Sequence, residues 1–431
     1  MVKKRNKKQA YFVIIIFFIG YILNVYLNRY LITHLDLDHY GDFKIFESLL
    51  YILIPLTTLG GIFGVNVFGP PYFKQSKQHK VVALFFLFVG VALISTIILM
   101  VVSLVIIPAI HNSALRQYIS LHHSFEFLFI IPVVGVYTMI SRLLNASGHF
   151  FVASLSQNIF VPAIFVSILI ILDRLGHDHV IGNVFAVYGG VFASLALVLM
   201  MVLFRFTGWR GWPAKSDFEI KHWLTASVSL LLTEIILSVV VQIDMLLLEI
   251  IGPVEADVGV FGALLTLCTF LWVILSAVQF YYMPLISSFL YEKNWIKLER
   301  LVNRIQYKLL LVSVALLIIT CLFPGFLISI IDPSLVKHKM VFILIFLSFV
   351  VRVPFVVKST LLTMSDYRKI SGVINLIALI MIVVLEILLV PTYRIWGAAI
   401  PLLVSRLLMS LSSVYYCKKH LNISYFSIQE R

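Results

Sequence analysis

Long apolar stretches joined by short polar connections dominate the pattern of this chain. A membrane-spanning helix takes about 20 mostly apolar residues, and each stretch reaches roughly that length. We predict twelve spans, which lie near residues 10–28, 45–68, 81–107, 121–143, 149–172, 181–204, 222–249, 258–290, 306–331, 339–363, 370–390 and 396–416. Because the connections are short, we expect the protein to act within a membrane or at its faces.

The composition agrees with this pattern and excludes several classes of protein. Hydrophobic residues make up 61% of the 431 residues and charged residues only 12%. Soluble chains are about 45–50% apolar and about 25% charged. A soluble enzyme, a nucleic-acid-binding domain and a disordered chain are therefore excluded.

Sequence motifs for catalysis or for a resident cofactor are absent. Cys268, Cys321 and Cys417 have neither the paired spacing of a disulfide framework nor the surroundings of a zinc site. The sequence also has no phosphate-binding P-loop and no nucleophile elbow. We therefore expect no enzymatic activity, no cofactor and no bound metal. Transport would have to draw on an ion gradient, the membrane potential or a substrate gradient.

Lys and Arg are distributed unevenly among the connections, and this predicts the orientation in the membrane. Cytoplasmic connections are enriched in these residues. With the N-terminus in the cytoplasm, most of the 33 Lys and Arg residues fall on the cytoplasmic side. The outer segments then hold Arg29, Lys44, Arg116, Arg174, Lys337, Lys339 and Arg394. We predict a multi-pass protein with both termini cytoplasmic, whose net charge of +13 needs no nucleic-acid partner.

Two pairs of segments repeat at a constant offset of 218 residues along the chain. Ser141–Ile159 aligns with Ser359–Ile377, and both fall on a cytoplasmic turn between predicted spans. His39–Phe43 aligns with Asp257–Phe261 at the same offset, and both fall on an outer turn. A duplicated unit of six spans keeps its orientation, because six is even, and a cavity is expected between two such halves. We predict one bundle over residues 1–210 and a second over 211–431.

Several segments also resemble those of a known transporter superfamily. His34–Phe43 resembles the "L-G-x-x-x-Y-G" turn of oligosaccharide flippases, and Gln242–Gly262 resembles the entry to their seventh span. Pro284–Ile286 matches the "P-x-I" end of their eighth span. Val390–Ile400 is similar to the "P-x-x-G-x-x-G-A-A" before their last span, with Tyr393 or Arg394 where a first glycine is common. The resemblance, which covers nearly the whole chain, is to the multidrug/oligosaccharidyl-lipid/polysaccharide exporter superfamily.

This resemblance implies an all-α integral membrane fold. About twelve transmembrane helices would form two parallel six-helix bundles around a central cavity, as in the multidrug and toxic compound extrusion (MATE) transporters. It also implies a flippase of the cell inner membrane for an undecaprenyl-pyrophosphate-linked oligosaccharide. The relatives that flip the peptidoglycan precursor usually have fourteen spans, whereas this sequence predicts twelve.

Five cationic side chains within or near the ends of predicted spans are candidates for binding substrate. An ionisable group in a span costs about 2.5–3.5 kcal/mol on insertion scales, so it marks a functional position. The candidates are Arg352, Lys358, Arg406, Arg29 and Arg142. Arginine suits a pyrophosphate headgroup because its guanidinium makes bidentate hydrogen bonds.

Each of these cations also has a structural interpretation. Arg352 could pair with a carboxylate, and Lys358 could extend its ammonium to the cytoplasmic interface. On an ideal helix Arg352 and Lys358 are about 120° apart. With Pro354 between them, which is expected to kink the span, they need not face the same cavity.

Four acidic residues are candidates for proton or ion coupling. Glu126, Glu234 and Glu386 lie deepest in predicted spans, and Asp244 lies nearer an outer end. Buried carboxyls can carry protons, which would suit proton-coupled transport. The alternatives are structural ion pairs with the arginines and, for Asp244, simple solvation.

Four neutral polar residues could bind the sugar hydroxyls of a substrate. Asn24 and Asn28 share a face of the first span because they are four residues apart. Gln157 lies in the fifth span and Gln279 in the eighth. The alternative is hydrogen bonding between helices, which is common in membrane bundles.

The sequence favours a lipid-linked oligosaccharide flippase, and two other functions compete with it. One is an ion-coupled multidrug exporter of the same superfamily, which would favour a carboxylate-dominated cavity. The other is a scaffold without transport in a polysaccharide-assembly complex, which would gain nothing from charges at the midplane. For the flippase, the expected partners are the lipid-linked oligosaccharide, membrane lipids and polysaccharide polymerase or assembly proteins.

Overall fold

The described part of the chain is nearly all helical and contains no strand. The structure, a computed structural model, describes residues 7–109, 129–176, 180–207, 213–214, 217–365 and 367–423. The α-helices are α1 (Lys7–His34), α2 (Leu37–Thr57), α3 (Gly61–Lys74), α4 (Gln78–Ala109), α5 (Ile130–Ala146), α6 (Phe150–Arg174), α7 (Ile181–Thr207), α8 (Ile220–Ile251), α9 (Ala256–Cys268), α10 (Phe270–Tyr291), α11 (Trp295–Leu322), α12 (Pro324–Ser329), α13 (Lys339–Arg352), α14 (Val356–Met364), α15 (Arg368–Tyr393) and α16 (Ile395–Leu421). The predicted all-α membrane fold is confirmed.

The number of spans in the described ranges is slightly below the twelve predicted. Nine helices are long and apolar enough to cross a membrane, or eleven if each of two bent pairs is one span. The fourth predicted span, 121–143, overlaps α5, which has only 17 residues. The beginning of that predicted span lies outside the described residues, and with it the candidate Glu126.

Two spans predicted as continuous are bent in the structure. The axes of α2 and α3 differ by 60°, and those of α9 and α10 by 42°. The first break follows Pro55, which has no N–H for the helical ladder. It is completed by Gly60, whose φ of 73° favours glycine. A Cβ on Gly60 would also lie 2.3 Å from the carbonyl oxygen of Ser227, so a side chain does not fit there.

Proline also interrupts the regular helix at two other places. A 3₁₀ turn, Val353–Phe355, separates α13 from α14, as Pro354 led us to expect. Within α6, Ser156–Phe160 forms a π turn just before Pro162. Such local changes of winding are typical where a side chain or a proline disturbs the hydrogen-bond ladder.

The described residues group into two compact units. The C-terminal unit comprises the described residues up to Gly41 and from Val239 onward, and the N-terminal unit comprises Asp42–Ser238. Helix α1 therefore groups with the later helices. The division into bundles at residue 210 stays a prediction, because a grouping by contacts is a different property from a duplication.

One pair of helix starts falls at the offset of the repeated segments. Helix α6 begins at Phe150 and helix α15 at Arg368, and these two positions are separated by the same offset as the repeated segments. Each half also contains one bent pair near its beginning. The glycines of the repeated outer turns even meet each other, since a Cβ on Gly41 would lie 3.2 Å from the backbone nitrogen of Gly259.

Aromatic side chains fill the core of the N-terminal unit. The rings of Phe46 and Phe185 lie 4.6 Å apart, and Phe43 stacks on Phe165 at 6.0 Å. The ring of Tyr188 packs edge-on against both Phe43 and Phe165. Aromatic pairs in such orientations stabilise beyond the area that they bury. The N-terminal unit is thus held by apolar packing.

Candidate functional site

Four helices of the C-terminal unit bring charged side chains into its interior. Arg352 is the last residue of α13, and Arg406 lies in the middle of α16, which packs along α13. Asp244 is on α8 and Glu386 on α15. We call these four residues the charged cluster. Nothing in the local pattern of any one helix requires a charge there, so tertiary packing has to accommodate them.

Arg406 is held by two contacts with α13. Its Nη1 donates to Ser348 Oγ at 2.8 Å. Its guanidinium carbon lies 3.9 Å from the centre of the Phe349 ring, a cation–π contact that is worth more where water is excluded. Ser410, one turn further along α16, donates to the carbonyl of Val351 at 3.0 Å. These bonds fix α16 against α13 and orient the guanidinium.

Arg352 is nearly enclosed and only partly bonded. The residue is 7% exposed, and its Nη2 donates to Ser359 Oγ at 3.3 Å. Its Nη1 is buried and has no hydrogen-bond partner among the described residues. A buried donor without a partner costs about 1–3 kcal/mol, and more when it is charged. The structural interpretation of Arg352, a pair with a carboxylate, is not realised within the described ranges.

The two acidic members of the charged cluster are fully enclosed. Asp244 is 2% exposed and Glu386 is inaccessible, so solvation does not explain Asp244. Neither oxygen of Glu386, nor Oδ1 of Asp244, meets a hydrogen-bond donor among the described residues. The two carboxyl groups interact with each other, and Arg406 is the cation that acts on Asp244. Two carboxyls so placed cannot both be ionised at low cost.

Lys358 lies close by in sequence but is not part of this arrangement. It is fully buried on α14, and its carbonyl accepts a weak bond from Cys417 Sγ at 3.4 Å. Electrostatically it interacts with Cys417 and Glu299. The extension of its ammonium to the interface, considered from the sequence, is not seen.

At the edge of the C-terminal unit, Arg394 forms the best-defined ion pair. Its Nε and Nη2 each donate to one carboxylate oxygen of Asp257 at 2.7 Å. This bidentate contact raises the pKa of the Arg394 guanidinium. Arg394 has a φ of 54°, which L residues rarely adopt and which would favour glycine at this position.

The N-terminal unit places a weaker charged group around Arg142. Its guanidinium carbon lies 5.5 Å from the centre of the Phe63 ring. Tyr51 and Glu234 are the ionisable groups that interact with it. The candidates Arg142 and Glu234 thus interact with each other, which was the structural alternative to a functional role for these charges.

The neutral candidates have different environments. Asn28 is buried and donates to the carbonyl and side-chain oxygens of Asn24, both at 2.7 Å, while Tyr40 donates to its Oδ1. Gln157 is exposed on the π turn of α6, and Gln279 is half-buried on α10. Asn24 and Asn28 therefore bond chiefly to each other, and none of these four lies in the charged cluster.

Arg29 lies apart from the charged cluster, at the far end of α1. Its side chain is exposed, and Nη1 donates to the carbonyl of Ile330 at 3.2 Å. The residues that the sequence did not point to are Ser348, Ser359 and Phe349, which contact the two arginines of the charged cluster. Serine and phenylalanine are common in membrane helices, so only their position in the packed structure marks them.

No group of three or more His, Cys, Asp and Glu residues that could hold a metal is found within the described ranges. The expected absence of a metal is neither supported nor contradicted by that observation. The acidic pair by itself would offer too few ligands of the types that divalent ions prefer.

The fold is similar to that of solved membrane transporters. A ligand complex of the MATE multidrug transporter DinF-BH matches with a TM-score of 0.67 at 16% identity, over 98% of this chain and 96% of that one. An outward-facing MATE family transporter of the MOP superfamily matches with 0.68 at 14% identity, over 96% of each chain. So does a MOP superfamily transporter from Pyrococcus furiosus, described as having a binding pocket of reverse polarity (0.68, 14%, 96% of each).

Comparison by sequence is uninformative. No protein-family model matches the chain, and no curated protein does. At identities this low, the structural likeness establishes the MATE-type fold and not the substrate. The chain is a multi-pass membrane protein with that fold, similar to transporters rather than to enzymes.

Proposed function

We propose that this protein transports an anionic lipid-linked oligosaccharide across the cytoplasmic membrane by alternating access. The observation that carries the proposal is the pair of guanidinium groups in the charged cluster, of which Arg352 is buried and Arg406 half-buried. Arg352 retains a buried donor without a partner among the described residues, and Arg406 is fixed by a neutral serine and an aromatic ring. A phosphate group would satisfy such donors with bidentate, charge-assisted hydrogen bonds.

The charge balance of the cluster supports an anionic substrate. Arg352 and Arg406 contribute two positive charges. Asp244 and Glu386 contribute one negative charge if they share a proton, as adjacent buried carboxyls do. The cluster then carries a net positive charge where water is excluded, and it attracts an anion.

The same carboxyl pair offers a route for coupling to ions. When it loses its proton, the negative charge competes with the substrate phosphate for Arg406, and substrate is released. When it takes up a proton, Arg406 is freed for the substrate. Binding and release are then linked reciprocally, because each ligand changes the affinity for the other by the same factor.

The remaining features of the proposal rest on the sequence. We infer an inner-membrane location with both termini cytoplasmic, from the distribution of Lys and Arg. We further infer that polysaccharide polymerase or assembly proteins are partners, since a flipped oligosaccharide has to be consumed on the outer side.

A multidrug exporter is the second candidate, and the buried carboxyl pair is the observation that favours it. Asp244 and Glu386 could bind a cationic drug if both lost their protons. The structurally similar DinF-BH is described as a multidrug transporter. The two arginines argue against this candidate, because they would repel a cation from the same cluster.

A complementation experiment tests the proposal. In a strain that lacks the gene, wild type, Arg352→Gln, Arg406→Gln and the exposed control Arg300→Gln are restored at equal membrane levels. Surface polysaccharide and lipid-linked oligosaccharide in the cytoplasmic leaflet are then measured. We expect both cluster variants to lose surface polysaccharide and accumulate the precursor, and the control to behave like wild type.

The other outcomes identify the competing functions. Normal polysaccharide with new drug sensitivity in the deletion strain would reject the flippase and support the exporter. Normal polysaccharide with normal drug resistance would reject both and leave the scaffold. Full activity of Arg352→Gln and Arg406→Gln would remove the buried arginines as the binding site.

A further inference from the structure

An apolar groove opens on the surface of the C-terminal unit. It encloses about 370 Å³, which is within the range of small-molecule sites. Its walls come from α1 and from α9 to α13, and its lining includes Phe18, Ile22, Val25, Ile319 and Ile330. The lining is apolar but for Tyr21 and Thr320, and the Tyr21 hydroxyl is already bonded to the carbonyl of Leu267 at 3.0 Å.

The groove has a buried floor and exposed rims. Phe342 and Phe346 on the floor are 1% and 4% exposed, whereas Ile22 and Ile319 on the rims are about half exposed. In a membrane, such exposed rims face lipid chains. A concave apolar surface there gives a lipid chain more contacts than a convex helix surface does, because dispersion contacts scale with the number of neighbouring atoms.

A cation lies at one end of this groove. Phe18, Ile22, Val25 and Arg29 are spaced by four, three and four residues, so they lie along one face of α1. From Phe18 to Arg29 that face extends about 16 Å at the rise of an α-helix. The guanidinium of Arg29 reaches the carbonyl of Ile330, itself a groove residue, so it is attached to the end of the groove.

We propose that this groove binds one chain of an anionic, phosphate-headed membrane lipid, with the phosphate on Arg29. The combination of an apolar channel and an exposed guanidinium at its end is complementary to an amphiphile with a negative head. The bond to Ile330 uses one of the five donors of the guanidinium, so others are available for a phosphate. The proposal does not depend on what the protein transports, because none of the four residues of the charged cluster lines the groove.

Photolabelling tests the site directly. The full-length protein is reconstituted in phosphatidylcholine vesicles with a phosphatidylglycerol probe that carries a photoreactive group on its acyl chain. Labelled peptides are then identified by mass spectrometry. We expect labelling to concentrate on α1 and α11 at the groove, and an excess of unlabelled phosphatidylglycerol to compete while extra phosphatidylcholine does not.

Two variants with matched controls separate the head from the chain. Arg29→Gln should weaken competition by phosphatidylglycerol about tenfold, since a charge-assisted hydrogen bond contributes roughly that much, and Arg29→Lys should restore part of it. Ile22→Trp should fill the groove and reduce labelling there. Arg174→Gln and Ile380→Trp, at an exposed cation and an exposed apolar residue outside the groove, should label like wild type.

Two results would overturn the proposal. Labelling spread evenly over the exposed helix faces would mean ordinary surrounding lipid. Unchanged labelling in both Arg29→Gln and Ile22→Trp, in protein that elutes and unfolds like wild type, would exclude the groove. The labelling experiment measures no transport. The flippase proposal can therefore fail while the lipid site is supported, and the lipid site can fail while the flippase proposal is supported.

Discussion

The interiors of the two units differ at positions that the repeat makes equivalent. At the constant offset of the repeat, Arg352 corresponds to Val134 and Arg406 to Tyr188. Val134 is buried among apolar residues, and Tyr188 belongs to the aromatic core of the N-terminal unit. The N-terminal unit is thus packed with rings, whereas the C-terminal unit contains charges that are incompletely paired within the described residues.

This difference indicates where stability and function are divided. Aromatic packing stabilises by burying area and by ring geometry. Buried charges without full pairing destabilise, and replacing a buried charged group together with its partners by apolar residues is often neutral or stabilising. The C-terminal unit therefore contains groups that packing alone would select against, which is the physical reason to assign the candidate site to it.

The largest effect on stability is expected when a charge is placed in the aromatic core of the N-terminal unit. Val134→Arg puts an unpaired guanidinium in a position that is 6% exposed. We expect the membrane-inserted protein to lose about 3 kcal/mol of stability, the cost of an arginine within a span. Thermal unfolding in detergent and membrane yield measure this. Val133→Arg, at the half-buried neighbouring position, is the control. If the protein tolerates arginine at position 134 as well as it tolerates Arg352, the contrast between the two interiors is contradicted.

The converse change removes a charge from the C-terminal unit. Arg352→Val gives this position the residue of its repeat equivalent. We expect transport to fall at least about tenfold, because charge-assisted bonds to a phosphate contribute about 1.5–3 kcal/mol. Stability should be unchanged or higher, since a partly unsatisfied buried cation is removed. Transport measured in vesicles beside an unfolding curve separates the two effects, and normal transport would contradict a functional role.

The ion pair Asp257–Arg394 at the edge of the C-terminal unit is expected to have a smaller effect. Arg394→Gly removes the ion pair, which lowers the free energy of unfolding by about 0.5–1 kcal/mol. It also relieves the positive φ, which raises the free energy of unfolding by about the same amount. Asp257→Asn removes the pair and leaves the backbone as it is. We therefore expect Asp257→Asn to lower the unfolding temperature more than Arg394→Gly does. The opposite order would mean that the positive φ costs little.

The smallest effect is expected at an ion pair of the N-terminal unit. Glu219 bonds Lys80 and accepts from Tyr72 at 3.0 Å, and Lys80 is the main reason why the pKa of Glu219 is lowered. A lowered carboxyl pKa stabilises above the unfolded value, about 4.3, and the effect is lost as pH falls through the folded value.

The variant Glu219→Gln measures this contribution. It should be less stable than wild type at neutral pH by under about 1 kcal/mol, because exposed pairs contribute little. The difference should disappear in acid. Unfolding curves at both pH values test the sign, with Glu292→Gln as an exposed control. A difference that grows in acid would contradict the argument.

The sequence alone determined the class of protein, and it predicted a duplication that stays a prediction. Length and apolarity of the stretches predicted the spans, because a bilayer imposes both on any helix that crosses it. The sequence did not predict the bend at Pro55 and Gly60. A bend depends on what the chain packs against, which here is Ser227.

The site depended on the tertiary structure. From the sequence, Arg352, Arg406, Asp244 and Glu386 were four isolated charges among many polar candidates. Only packing decides that these four share one interior while Gln157 is exposed and Asn24 bonds to Asn28. The physical reason is that the cost of placing a charge in a span can be recognised from the sequence. The partners that offset this cost lie on helices far away along the chain, so only the tertiary structure identifies them.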